Sequence, residues 1–198
     1  GDDGTTGMCL NNGGGGTMTF GGAVTGDGLL SKTGAGNNMI LRFTGNVSEF
    51  TGNINLGATA IFTLKFESTN SSSATKGVSG TGDVTFKSGN NTLEYNYSAG
   101  NTVYITNAIV KDGGTSKVKL SGTDAVVFTK SVQIDELTTS ASFITFAGGA
   151  ANIVNAQDVS AALAADETKF KGTGSISLGS GVKVDLGDIS GLQENVEY

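Results

Sequence analysis

Short runs in which apolar and polar residues alternate, each closed by glycine, asparagine, serine or threonine, recur along the whole chain. Thr17-Met18-Thr19-Phe20, Phe62-Thr63-Leu64-Lys65-Phe66, Val84-Thr85-Phe86 and Leu93-Glu94-Tyr95-Asn96-Tyr97 are four of them. Val118-Lys119-Leu120, Val132-Gln133-Ile134, Ile176-Ser177-Leu178 and Val182-Lys183-Val184-Asp185-Leu186 continue the pattern. A period of two puts alternate side chains on opposite faces of a strand, so each run predicts a β-strand with one buried face. The runs recur about every ten residues, a spacing shared by sandwiches, barrels and solenoids.

Composition decides among these three. The 198 residues include 32 Gly but no Pro and no Trp, with four Tyr. A sandwich ordinarily carries longer strands, stronger aromatic anchors and some edge proline. Short strands joined by Gly and Asn suit a solenoid, whose coils repeat the same sharp corner, because these residues tolerate the left-handed backbone. The expected fold is therefore all-β: a parallel β-helix occupying 1–198 as a single segment. A coil of about 20–25 residues gives roughly eight to ten levels stacked over some 40 Å. Leu64, Phe86, Leu120 and Leu178 are expected inside, with the outward Thr, Ser, Lys and Asn solvated. Two interruptions are expected. The Ala-rich stretch 158–169, with Asp158 as N-cap, reads as a short helical or loop insertion. The polar stretch 68–75 reads as a loop bulging from one coil.

Charge and chemistry exclude several functions. The net charge is −6, and Arg42 is the sole arginine, so no basic patch is present to bind nucleic acid or an anionic membrane. No apolar run approaches the ~18 residues of a membrane span. The chain has no initiating methionine and no signal peptide, and is expected to be a mature or excised piece of a longer secreted chain. With no His and one Cys, there is no zinc site and no Ser/His or Cys/His catalytic arrangement. Cys9 reads as incidental.

The carboxylate pairs Asp2-Asp3, Asp135-Glu136, Asp166-Glu167 and Asp185 with Asp188 read as solvated acidic loops, not as a calcium site, which needs several converging oxygens. Gly80-Thr81-Gly82-Asp83 is only a passing likeness to a calcium-binding glycine repeat. Gly34-Ala35-Gly36 lacks the Lys-Ser/Thr of a phosphate loop and reads as a turn. The sequons at Asn46, Asn70, Asn90 and Asn96 carry meaning only in a secreted eukaryotic protein. No residue is assigned as catalytic, cofactor-binding or metal-binding.

Residues 26–56 carry a more specific pattern. Lys32-Thr33-Gly34-Ala35-Gly36 is followed by the apolar run Met39-Ile40-Leu41, then Gly45-Asn46, then Phe50-Thr51-Gly52-Asn53-Ile54. The pattern resembles the autotransporter-associated β-strand repeat of bacterial passenger regions. It departs at Arg42, where that repeat commonly has a small polar residue, and at Gly57-Ala58-Thr59. The resemblance implies a right-handed parallel β-helix exported to the bacterial outer surface. It also implies membership among adhesins, aggregation factors and stalks, a minority of which carry enzyme domains.

The functional expectation is accordingly an extracellular structural or adhesive module. Its partners would be a host or bacterial surface carbohydrate or protein, or further copies of itself. The alternative is a carbohydrate-active β-helix enzyme, a polysaccharide lyase or hydrolase, for which Asp135 and Asp185 are the carboxylates weighed. An ice-binding surface is disfavoured, because the Thr spacing is too irregular for flat ranks.

Overall fold

The computed structural model describes residues 7–10, 15–34, 38–67, 77–141, 144–147, 151–157, 170–172 and 176–178. The chain winds as a parallel β-solenoid. The first coil contributes β1 (Gly7–Leu10) and β2 (Gly16–Phe20), and the second β3 (Leu29–Gly34) and β4 (Met39–Phe43). The third holds β5 (Ile54–Ala58) and β6 (Ile61–Glu67). The fourth has β7 (Val84–Phe86), β8 (Asn90–Asn96) and β9 (Thr102–Ile105), and the fifth β10 (Ile109–Lys111), β11 (Thr115–Leu120) and β12 (Ala125–Phe128). The sixth is built from β13 (Val132–Thr139) and β14 (Ile144–Phe146), and the seventh from β15 (Ala151–Gln157) and β16 (Phe170–Gly172). The last strand, β17 (Ile176–Leu178), begins the next level. About five turns lie between Leu29 and Phe146.

Every strand pair is parallel, and the partners stack in columns. Leu30 pairs with Ile54, Ile54 with Val84, Val84 with Ile109 and Ile109 with Val132. These partners are 24, 30, 25 and 23 positions apart. Strands β1, β3, β5, β7 and β10 form one face, and β2, β4, β6, β8 and β11 a second. In the sixth coil β13 runs straight through both faces, pairing with β10 through Val132 and with β11 from Glu136 to Thr139. That coil therefore lacks the first corner, and Val132 reaches Ala151 after only 19 positions. Among the described residues the third face is strand in β9, β12, β14 and β16; earlier coils place loop residues such as Val47, Phe50 and Val78 there, all buried.

The in-and-out assignment follows the alternation. Leu64, Phe86 and Leu120 are buried, as expected; the side chain of Leu178 lies outside the described set. Column after column is apolar: Leu41, Leu64, Leu93, Val118 and Leu137 stack in register. Beside them the rings of Phe20, Phe43, Phe66 and Tyr95 are stacked with centroids 5.2, 5.3 and 5.7 Å apart and planes nearly parallel. Parallel in-register stacking puts like on like, so an aromatic column forms offset-stacked pairs at every step.

The corners use glycine where no other residue fits. Gly89 and Gly114 have φ of +75° and +65°, and a Cβ on either would strike the backbone of the preceding coil, at Ala58 and at Gly89. The 30-residue coil is the one that contains 68–75, which itself lies outside the described residues. No helix occurs among the described residues; the expected insertion at 158–169 falls outside them, within a coil of 25 positions from Ala151 to Ile176.

Polar side chains do not all face solvent. Lys32 stands in an inward position between Leu10 and Leu56 and is 2 % exposed. Asn91 and Ser116 occupy successive inward positions above Phe62. Ser79 and Asn107 are buried too: the Ser79 hydroxyl donates to Asn107 Oδ1 and lies 3.0 Å from the Tyr95 hydroxyl. Asn107 Nδ2 in turn donates to the carbonyls of Ser79 and Gly82. The strand register places every second residue inside whatever its polarity, and a polar residue so placed is retained by hydrogen bonds to the corner backbone.

Candidate functional site

The densest grouping of charged side chains lies on the outer surface of the β2–β4–β6–β8–β11 face. Because the coils are in register, Thr19, Arg42, Lys65, Glu94 and Lys119 form one outward column, a strand spacing of about 4.8 Å apart. Glu67, two residues beyond Lys65, points to the same side. The Arg42 guanidinium donates to Glu67. The Lys65 ammonium lies 3.0 Å from Glu67 and 3.2 Å from Glu94, bridging the two carboxylates. Glu94 also accepts the Ser121 hydroxyl at 2.7 Å and lies 3.9 Å from Lys119.

The ladder is partly shielded from water by its own packing. The Glu67 side chain is 7 % exposed and that of Glu94 12 %, whereas Arg42 and Lys119 remain 39 % and 48 % exposed. Burial alone would push the Glu67 carboxyl up, but hydrogen bonds and charge from Lys65 and Arg42 outweigh it and hold the group below its ordinary range. For Lys65, burial pulls the ammonium down, and the two carboxylates more than reverse this. The phenol of Tyr97 is pushed well up, first by burial and then by the Glu67 charge.

Such a site clamps successive coils together. A glycoside hydrolase needs one carboxyl kept protonated near neutral pH. Glu67 is shifted the opposite way. The exposed cations at either end, Arg42 and Lys119, give the ladder its outward-facing polarity.

The acidic residues weighed from sequence lie elsewhere. Asp135 and Glu136 are not in a loop: both sit in β13. Asp135 fills the place of the missing corner, where it pairs with Lys111 and accepts the Ser116 backbone N–H at 2.9 Å and hydroxyl at 3.1 Å. Burial raises its carboxyl, and these partners bring it below the ordinary value. Glu136 pairs with Lys117 at 3.0 Å. Asp2, Asp3, Asp166, Glu167, Asp185 and Asp188 lie outside the described residues. Asp83 lies 3.6 Å from Lys130, and its backbone N–H donates to Asn53. Cys9, in β1, is half-buried with its sulfur 3.3 Å from the Thr33 hydroxyl. Among the described residues no three His, Cys, Asp or Glu side chains group as a metal site.

Sequence reasoning missed the ladder because its members are far apart in the chain. Arg42, Lys65, Glu94 and Lys119 are separated by 23, 29 and 25 positions, and the signal is charge recurring at the coil length. Comparison with known proteins adds no relative: no family model, no curated protein and no solved structure matches the chain.

Proposed function

We propose that this chain is a structural or adhesive module of a bacterial protein exposed at the outer surface, meeting a surface carbohydrate, a surface protein or its own copies. One observation carries the reading. The outward polar groups of the described coils engage one another from coil to coil, as in Arg42–Glu67–Lys65–Glu94–Lys119 and Lys111–Asp135, so they stiffen the solenoid instead of converging on a cleft. The likeness of 26–56 to the autotransporter-associated repeat supports the exported setting. Repetitive solenoid faces offer many weak polar contacts along a rigid axis, which suits adhesion through multiple sites.

The test is an array of surface glycans and proteins run beside a turnover screen on pectin, alginate and other polyanions. Saturable binding without turnover is expected. Turnover abolished by Glu67→Gln or Glu94→Gln would replace the adhesive reading with the lyase or hydrolase one. Resistance of the chain to added protease on intact cells would contradict surface exposure.

A further inference from the structure

Between the fifth and sixth coils the first face nearly loses its ladder. Strands β5 and β7, and then β7 and β10, are joined by three residue pairs each, but β10 meets β13 through the single pair Ile109–Val132. The Ile109 N–H crosses there to the Ser131 carbonyl at 3.0 Å. Beyond that pair β13 runs straight on to join β11, so the corner at 112–115 has no counterpart in the sixth coil.

The Asp135 side chain bridges this gap. Lower down, corner bonds to corner through the backbone: the Thr115 N–H donates to the Gly89 carbonyl at 2.7 Å. The N–H of the next residue, Ser116, is taken by Asp135 Oδ2 at 2.9 Å. The Ser116 hydroxyl donates to the same oxygen at 3.1 Å, and the Asp135 N–H donates back to Ser116 Oγ at 3.0 Å. The Lys111 ammonium donates to the other oxygen, Oδ1. Ser116 is fully buried, so its N–H and hydroxyl need these acceptors. A carboxylate can serve three donors at once, and its bonds are about twice as strong as those of a neutral acceptor. A protonated carboxyl loses the attraction of Lys111 and turns one oxygen into a donor.

We propose that Asp135 is a latch at the missing corner: ionised, it ties the fifth and sixth coils together along the first face, and protonated, it lets that face open. The device is independent of what the module binds.

The charged groups around Asp135 among the described residues are few. Lys111 of β10 is its partner. Lys117 of β11 is held by Glu136 of β13 at 3.0 Å, and Asp112 of the corner by Lys87 at 2.6 Å. Strand β15, on the other side, carries no titratable residue. Burial raises the Asp135 carboxyl, and Lys111 and Ser116 more than reverse this, leaving it below 3.8. Its contribution is therefore complete above 3.8 and is lost as pH falls through the lower native value.

The test is amide hydrogen exchange read residue by residue by NMR and corrected for the intrinsic effect of pH, with the Asp135 carboxyl carbon titrated alongside. It is run on the whole chain, on Asp135→Asn and on Glu136→Gln. Protection of the Ile109, Ser116 and Asp135 amides is expected to fall about tenfold or more, with the midpoint at which Asp135 itself titrates, below 3.8. The Val84 and Thr115 amides, which bond between the fourth and fifth coils, are expected to keep theirs. Asp135→Asn should abolish the dependence, and Glu136→Gln should leave it in place. If Asp135→Asn fails to fold, the shared midpoint of the Asp135 carboxyl and the Ser116 amide in the unaltered chain decides. Joint amides that open only together with Val84 and Thr115 would overturn the latch. So would a dependence that survives Asp135→Asn or is removed by Glu136→Gln, or an Asp135 carboxyl titrating at or above 3.8.

Discussion

Phe66 is the third of four stacked rings, 5.3 Å from Phe43 and 5.7 Å from Tyr95, and is 1 % exposed. Truncating a buried phenylalanine costs about 3–5 kcal/mol. Loss of two stacked neighbours, each worth about 0.5–1.5 kcal/mol beyond area burial, places Phe66→Ala near the top of that range, about 4–5 kcal/mol. Phe20 belongs to the same column but is only half-buried and touches one ring, at 5.2 Å. Phe20→Ala is expected to cost about 1–2 kcal/mol. Solenoid stability is a sum over coils and the interfaces between them, so a central deletion damages two interfaces and an edge deletion one. Urea melts followed by circular dichroism, with unchanged slope as the control for comparable unfolding, measure both. Equal losses, or a larger loss at Phe20, would refute the stacked column.

Three further outcomes follow from the same packing. Phe86→Ala is expected to cost about 3–5 kcal/mol and Thr85→Ala under ~1 kcal/mol, because Phe86 is fully buried and Thr85 faces outward; a reversed order in denaturant melts would mean the strand register is wrong. Burial lowers the Lys32 ammonium below 10.5, against a smaller raising effect of Cys9; the unfolded chain then binds the extra proton, and stability climbs as pH rises from the native value toward 10.5. Lys32→Met is expected to stabilise the fold at pH 7 by about 1–3 kcal/mol and to abolish that climb, and an unchanged pH profile would contradict it. The depressed Glu67 carboxyl contributes stability that is complete above its ordinary value of 4.5 and is lost as pH falls through the native value. Glu67→Gln should cost about 1–3 kcal/mol at pH 7 and flatten the acid limb of a pH–stability curve.

The strands and their faces were legible because alternation is a local property. Val84-Thr85-Phe86 and Phe62-Thr63-Leu64-Lys65-Phe66 read in and out as the structure has them. The solenoid followed from missing proline and recurring glycine, and Gly89 and Gly114 show the physical need, since each turns where a Cβ would meet the coil before it. Coil length was less legible. It varies from 19 to 30 positions because β13 omits a corner and the coil between Ile54 and Val84 is enlarged. The third face was faint in sequence, because its early coils use single buried residues such as Val47 and Val78 in place of strands. Lys32 was not legible as an inward residue from its polarity, because its direction is fixed by neighbouring Leu30 and the strand pairing. The charged ladder could be found only by reading the chain at the coil spacing, which the alternation alone does not supply.

The central claim is parallel, in-register stacking of successive coils, and a spacing measurement between outward positions tests it most directly. Ile40, Thr63, Thr92, Lys117 and Glu136 form one outward column. Spin labels on cysteines at Ile40 and Glu136, in a Cys9→Ser background, should lie four strand spacings or about 19 Å apart, and labels at Ile40 and Lys117 three spacings or about 14 Å. A pulsed dipolar experiment showing two narrow distributions that differ by one strand spacing is the expected result. Distances that fail to shorten by that step when the second label moves one coil, or a broad spread above 30 Å, would contradict the stacked solenoid.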